Sequence, residues 1–424
     1  IMKIKLEENQ KKILDKIKKK LILNKNSSEF DIFRYLSNSN KLSFAQLQFY
    51  LTRKYSFKYL FLCLKNFFSF FFYYDYELYE SSIEKKYDEV IISWGKISDF
   101  DSQGNFFDRY CGKNSLEKKK ILWIVQYEDL FLPKKISQNV ILLKKSDKKI
   151  LHLKYFLSLF TESQTKFFSF KNFSSSSLYA LLFYNKVGFI LKNVSIKKLT
   201  IPYEGQLFQK FIIKKFREKG IKILGIVHTF SQPIPFNLFF EKNVCPDVLH
   251  VNSNSMKNSL IKHMNWRKQN ILIKKSTRFF RKNKIDMKKK LFFPYEIPDP
   301  KKIEKAFIDF VELYKNKISL NLHIKIHPVK LKDRSHLSLK NKILNILKQN
   351  KKYNKKNDKN VSIFFEYTSS IIEALERGTK VIQICTEPTL QVYTPYIYKG
   401  ISIKQINKNI FEYNEIKRNS LIKM

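Results

Sequence analysis

Apolar positions along this chain fall into two rhythms. Short, nearly continuous runs of β-branched and aromatic residues read as strands buried on both faces. Asp88–Trp94 (DEVIISW), Lys120–Gln126 (KILWIVQ) and Asn139–Leu143 (NVILL) are the first three. Further on come Ser195–Thr200, Lys222–Val227, Val248–Val251, Ile271–Ile273, Leu291–Phe293, Leu320–Ile326, Val361–Phe365 and Lys380–Ile384. Between them, apolar residues recur every three to four positions, the signature of helices. The helices expected are Gln206–Lys219, with Gly220 as its C-terminal stop, Ser255–Ile261, Lys302–Tyr314, Leu337–Leu347 and Ser370–Arg377. Strand and helix alternating in this way predict an α/β chain with two Rossmann-like domains facing across a cleft.

The ends and joints read differently. Residues 3–23 form a basic amphipathic pattern with Ile13, Ile17 and Leu21 on one face, and residues 41–80 are aromatic and helical in pattern. The serine-rich stretch 161–177 reads as a loop, and the lysine-rich stretch 274–290 as a linker. The expected division is therefore a helical, aromatic-rich N-terminal extension (1–80), a first Rossmann-like domain (81–275), a second (285–405) and a C-terminal tail (406–424).

The length of 424 residues, with 44% hydrophobic positions, supports more than one core and excludes a disordered or collagen-like chain. The longest apolar-rich run, Tyr55 to Tyr76, is interrupted by Lys58, Lys65, Asn66 and Asp75 and makes a poor membrane span. The N-terminus reads as a charged helix rather than a secretory signal, and the four cysteines form no C-x-x-C pair or zinc spacing. A cytoplasmic protein is expected.

The net charge of +44 raises the question of a polyanionic partner. The excess is lysine spread along the chain, whereas nucleic-acid readers favour arginine forks and clustered patches. Abundant Lys, Ile, Asn, Phe and Tyr beside 9 Gly and 11 Pro also match an AT-biased coding sequence. Nucleic acid is thus disfavoured as a partner, and an anionic lipid surface or phosphate-bearing substrate is retained.

Four segments with polar chemistry sit where strands end, the place at which open α/β sheets bind ligands. Pro202-Tyr203-Glu204-Gly205-Gln206 offers Glu204 as a general base or as a carboxylate at a helix N-terminus. His228-Thr229-Phe230-Ser231 supplies His228 and Ser231 for hydrogen bonding to a sugar or phosphate. Lys325-Ile326-His327-Pro328 presents Lys325 and His327 at a stiffened turn. Tyr367-Thr368-Ser369-Ser370 opens a helix, where Thr368, Ser369 and Ser370 serve either as caps or as a phosphate cradle, with Glu373 reaching a ribose or completing a capping box. Asp99-Phe100-Asp101 is a weak candidate for a metal–diphosphate site, and the i, i+4 pair His323/His327 a weaker one still. No dinucleotide fingerprint, Walker loop, G-x-S-x-G or HExxH occurs.

Taken in order, these segments resemble a known family. The run YEGQLFQKFIIKKFREKGIKILGIVHTFSQPIP…CPDVLHVNS is similar to bacterial surface-carbohydrate biosynthesis glycosyltransferases of the GT-B superfamily. KIHP and YTSS-IIEALERGTKVIQI resemble the HP and Ser/Thr motifs of bacterial sialyl- and polysialyltransferases, and SWGKISDFDSQGNFFDRY…KKILWIV the acceptor-side domain of the surface-carbohydrate group. The resemblance spans roughly residues 88–405. It implies a GT-B-like fold, with 81–275 on the acceptor side and 285–405 binding a nucleotide-sugar. It also implies metal-independent transfer of a sugar to a cell-surface polysaccharide or lipid-linked glycan, with no cofactor beyond the donor. Glu204 and His327 would be catalytic, and His228, Ser231, Lys325, Thr368, Ser369, Ser370 and Glu373 would bind the donor. Tyr203 stands where the sialyltransferase pattern has an acid. A basic surface implies peripheral association with the inner membrane. Two alternatives are carried: a nucleotide-sugar 2-epimerase or polyol-phosphate transferase on the same fold, and a non-enzymatic polyanion-binding protein.

Overall fold

The structure is a computed structural model describing residues 2–23, 72–80, 84–116, 120–152, 175–275, 287–297, 299–350, 360–414 and 421. Its strands are β1 Phe72–Tyr79, β2 Lys86–Gly95, β3 Ile121–Tyr127, β4 Val140–Leu151, β5 Ser195–Pro202, β6 Lys222–Ile226, β7 Val248–Val251 and β8 Ile271–Ile273. After these come β9 Lys290–Phe292, β10 His323–Lys325, β11 Val361–Phe365, β12 Lys380–Ile384, β13 Ile403–Gln405 and β14 Ile410–Tyr413. The helices are α1 Met2–Leu23, α2 Ser175–Ile190, α3 Leu207–Glu218, α4 Asn254–His263, α5 Pro300–Tyr314, α6 Arg334–Gln349, α7 Ser370–Glu376 and α8 Pro388–Gln391.

Two sheets form, as the alternating pattern predicts. The first runs β1-β4-β3-β2-β5-β6-β7-β8 and is parallel except for the β1–β4 pair. The second runs β10-β9-β11-β12-β14-β13, with β10 to β12 parallel and the last two strands antiparallel. Each sheet reverses its winding once, between β2 and β5 in the first and between β9 and β11 in the second. Reversal splays the loops that leave the strands' C-terminal ends and opens a crevice there.

Local chemistry fixes the helices that flank these crevices. Asp299 accepts from Lys302 N at the start of α5, and Pro300 occupies the first turn where no donor is needed. Asp333 caps α6 by accepting from Ser335 N and His336 N, and hydrogen bonds from the Ser335 hydroxyl, the His336 ring and the His336 amide hold its carboxyl far below the usual range. Gly220 ends α3 in the left-handed region, φ 72°, with an open space where a Cβ would lie.

The cores are layered around the sheets. One buried cluster covers one face of the first sheet and continues into α7, α8 and the segment 392–403 of the second. A second lies between the second sheet and α5 and α6. The seam is polar as well as apolar. Tyr393 and Tyr398 pack on Phe230, and Tyr393 Oη donates to the Ser231 carbonyl at 2.9 Å. Gln10 of α1 donates to the Thr389 and Val392 carbonyls at 3.1 and 2.9 Å, fastening α1 to the second sheet's α8 turn.

Three sequence expectations change. Residues 72–79 form a strand, not helix: only Tyr76 is buried, and β1 is held at the sheet's edge by pairing with the long β4. The rest of the 41–80 reading lies outside the described residues, as do the side chains of Ile17 and Leu21. The serines at 175–177 begin α2 instead of extending a loop, and residues 161–174 lie outside the described residues. Within the stretch read as a tail, β14 is an interior strand that carries Tyr413 into the core.

Candidate active site

The first crevice is built around Glu204. Chain direction changes sharply after β5, and Gly205 makes that possible: its φ is 68°, and a Cβ there would lie 1.8 Å from the Asn237 carbonyl oxygen. Gln209, fully buried in α3, fastens the turn from below. Its Nε2 donates to the Pro202 carbonyl at 2.6 Å, while its Oε1 accepts from Glu204 N and Gln206 N at 3.0 and 3.1 Å. Asn237 Nδ2 donates to the Glu204 carbonyl at 2.6 Å. The backbone of Glu204 is thus held at both its amide and its carbonyl.

That side chain meets His228, which leaves the neighbouring strand β6. The imidazole Nε2 lies 3.3 Å from Glu204 Oε1, and Gln206 Nε2 donates to Glu204 Oε2 at 2.6 Å. His228 is 6% exposed and the Glu204 side chain 36%, so the pair presents its carboxylate end to the crevice. Trp94, at the end of β2 across the winding reversal, and Tyr110 complete the wall. Tyr110 stands edge-on to His228 with centroids 4.7 Å apart, and Trp94 lies 5.3 Å from Tyr110. Burial pushes the Tyr110 phenol up to about 12, with the charges of Glu128 and Glu204 reinforcing the shift and Arg109 opposing it. Buried Asp108 anchors this loop by accepting from Ser93 Oγ at 3.0 Å and Tyr110 N at 2.8 Å.

The Asp99/Asp101 pair does not converge on one point. Asp99 is ion-paired with Arg109 and accepts from Lys96 N, whereas Asp101 accepts from the amides of Gln103 and Asn105 in its own turn. Among the described residues no three His, Cys, Asp or Glu side chains gather in a metal-binding group.

The second crevice carries the other candidates. His327 follows β10 and begins the short turn Pro328–Lys330, its ring perpendicular to Tyr295 at 5.2 Å. Lys330 sits over the same Tyr295 ring at 4.6 Å and near Glu296 at 3.5 Å. Lys325 is exposed at the end of the edge strand β10. Thr368, Ser369 and Ser370 form a half-buried turn between β11 and α7. Ser369 takes the cap position without a side-chain cap bond, so its hydroxyl is not spent on the helix. Thr368 Oγ1 accepts from Ser370 N at 3.3 Å.

Two candidates have partners of their own. Ser231 is buried in the seam, its hydroxyl 2.8 Å from Tyr398 Oη. Glu373 accepts from Arg377 Nη2 at 2.6 Å one turn along α7, an intrahelical pair instead of the capping box.

The crevices are electrostatically linked. Lys145 on β4 lies within reach of both Glu128 and Tyr295, and Glu128 also acts on Tyr110. Ring contacts give the closer link: Phe230, two residues after His228, packs on Tyr393 at 5.7 Å, and Tyr393 lies 6.0 Å from Tyr367, which precedes Thr368. Sequence reading missed Trp94, Tyr110, Gln209 and Asn237. Gln209 had a legible signal, a second glutamine one turn into the helix after Gln206. Trp94 had a weaker one, an aromatic residue at a strand's C-terminal end.

No family model matches the chain, and no curated protein sequence matches it. Among solved structures it is similar to the apo form of the lipopolysaccharide outer core galactosyltransferase WaaB. The TM-score is 0.33 and the identity 11%, over 70% of this chain and 80% of that one. A functional reading therefore rests on the chain's own site.

Proposed function

We propose that the chain is a glycosyltransferase of GT-B type that moves a sugar from a nucleotide-sugar to a glycan acceptor. The observation that supports this reading is the Glu204–His228 pair, set beside the winding reversal of the first sheet, with the loop after His228 packed through Phe230 and Tyr393 toward the Tyr367–Ser370 turn of the second. In the scheme, an acceptor hydroxyl rests against Glu204, which takes its proton as the oxygen attacks the donor's anomeric carbon. The bond from that carbon to the phosphate oxygen breaks, and its electron pair stays on the leaving phosphate. His327, Lys325, Thr368, Ser369 and Ser370 donate hydrogen bonds to that oxygen or its neighbours. His228 fixes the carboxylate's direction, and the edge of Tyr110 excludes water from the pair. Ser231 and Glu373 support the site through Tyr398 and Arg377.

A surface polysaccharide or lipid-linked glycan is the acceptor class proposed. The 2-epimerase alternative has no acceptor, and the polyol-phosphate alternative places a phosphodiester rather than a glycosidic bond on its acceptor, so product analysis separates them. Thermal denaturation with CMP, CDP, UDP and GDP and their sugar conjugates tests the donor half. A ligand at 100 times its dissociation constant adds about 2.7 kcal/mol, a shift of a few degrees. We expect one base to give this shift and His327→Ala to abolish it. No shift with any nucleotide contradicts the proposal.

A further inference from the structure

A compact apolar tip stands on the rim of the first sheet, outside the site described above. Leu130 and Phe131, in the loop that leaves β3, are 75% and 79% exposed, and Ile97, in the loop that leaves β2, is 47% exposed. The two loops are tied together, since Ile97 N donates to Asp129 Oδ2 at 2.7 Å and Lys96 Nζ lies 3.6 Å from Glu128 Oε2.

The tip is also held rigid from behind. Tyr127 Oη donates to the Phe131 carbonyl at 2.5 Å, so the two side chains are displayed rather than folded inward. Ser137 N and Oγ both donate to the Gly104 carbonyl at 3.0 Å, locking the next stretch of the loop to its neighbour. Gly104 has a φ of 86°, and a Cβ there would come within 2.6 Å of the Lys135 backbone. Three apolar side chains gain nothing from the fold by being exposed, and the backbone beneath them is already ordered.

The surroundings say what covers them. Lys134 and Lys135 are exposed in the same loop, directly after Leu132-Pro133. The nearby acids are engaged, Asp129 with the Ile97 amide and Glu128 with Lys96. An apolar point with a lysine rim matches the boundary between acyl chains and anionic headgroups, where the apolar side chains leave water and the ammonium groups stay at the phosphates. Among the described residues no helix is long and apolar enough to cross a membrane.

We infer that Ile97, Leu130 and Phe131 insert into an anionic bilayer with Lys134 and Lys135 on its headgroups. This inference is independent of the catalytic reading. The insertion would set the C-terminal rim of β2 and β3, and with it the Trp94–Tyr110 wall, against the lipid surface.

The test is co-sedimentation of the full chain with vesicles of phosphatidylcholine alone and of phosphatidylcholine with phosphatidylglycerol. The wild type is expected to bind the anionic vesicles. Leu130→Ser/Phe131→Ser should weaken that binding at least about tenfold, the loss of roughly 1.4 kcal/mol or more of apolar burial, and should do so in high salt as well. Lys134→Glu/Lys135→Glu should weaken it chiefly at low salt. Both pairs are exposed, so an unchanged melting temperature confirms that the fold is intact. Wild-type protein that ignores anionic vesicles overturns the inference. So does a serine variant that binds as the wild type does. If the wild type is a concentration-dependent dimer and the serine variant a monomer with unchanged vesicle binding, the tip serves a second copy and the inference is again overturned.

Discussion

Glu366 shows how much one residue can carry in this fold. It ends β11 in the left-handed region, φ 51°, where a non-glycine residue is strained, and its carboxyl is buried. Thr386 Oγ1 donates to it at 2.8 Å, and Gln383 Nε2 holds its carbonyl at 2.7 Å. Burial pushes the carboxyl up to about 7, with Thr386 opposing and Glu387 adding to the shift. A raised acid stabilises the fold fully below its unfolded value of 4.5 and loses that contribution as pH rises through about 7. The wild type should therefore lose roughly 3 kcal/mol between pH 4.5 and 8 relative to Glu366→Gln, since each tenfold change in proton affinity is worth about 1.36 kcal/mol. Urea unfolding of both proteins at pH 5 and pH 8 measures this, and parallel pH dependences would refute it. Gly205 is a second single-residue constraint. Gly205→Ala forces a Cβ toward the Asn237 carbonyl at a positive φ, and should cost more than about 1 kcal/mol and displace Glu204. Denaturant midpoints read the cost. A variant as stable as the wild type would show that the turn is looser than its contacts imply.

At the scale of elements, legibility followed burial. Parallel strands covered on both faces are continuous apolar runs, and β2, β3, β7, β11 and β12 were readable for that reason. The edge strand β1 was not. Seven of its eight residues are half-buried or exposed, and its FYYDYELY sequence has no alternation to separate it from an aromatic helix. Helix α2 is apolar nearly all round, and so lost the helical period that marks α3 and α5. In the candidate site, Glu204 and His228 were legible because both follow apolar strands, and β5 and β6 are parallel neighbours. Trp94 and Tyr110 were not, because their place beside Glu204 depends on β2 pairing with β5, strands separated by the whole of residues 96–194. No local pattern encodes that pairing. The α3 helix gives the matching prediction. Gln209→Ala removes three hydrogen bonds from the Glu204 turn and leaves buried backbone groups without partners, for a loss of about 1–3 kcal/mol. If Glu204 is the base proposed above, sugar-transfer kinetics should show kcat falling more than KM rises, since Glu204 moves while the crevice in the other sheet does not. An unchanged kcat would separate the turn from the chemistry.

Across the whole molecule, the two sheets are joined by a seam that the tyrosines of 393–398 and Gln10 of α1 hold together. Tyr398 Oη bridges Ser231 Oγ and the Gln232 carbonyl, so the loop after His228 takes its position from the second sheet. His263 Nε2 lies 3.1 Å from the Tyr396 carbonyl. Burial lowers this imidazole to about 4, so it serves there as a neutral donor at neutral pH. On the proposed reading, the seam links donor binding in the second sheet to proton transfer at Glu204 in the first. The central claim is that proton transfer runs through Glu204. Single-turnover transfer from the nucleotide-sugar found in the donor panel measures it most directly, comparing the wild type with Glu204→Gln at saturating donor. The account predicts a loss of about 10²–10⁴ in rate with donor binding unchanged, the range expected for removing a general base. Transfer by Glu204→Gln at the wild-type rate would contradict it.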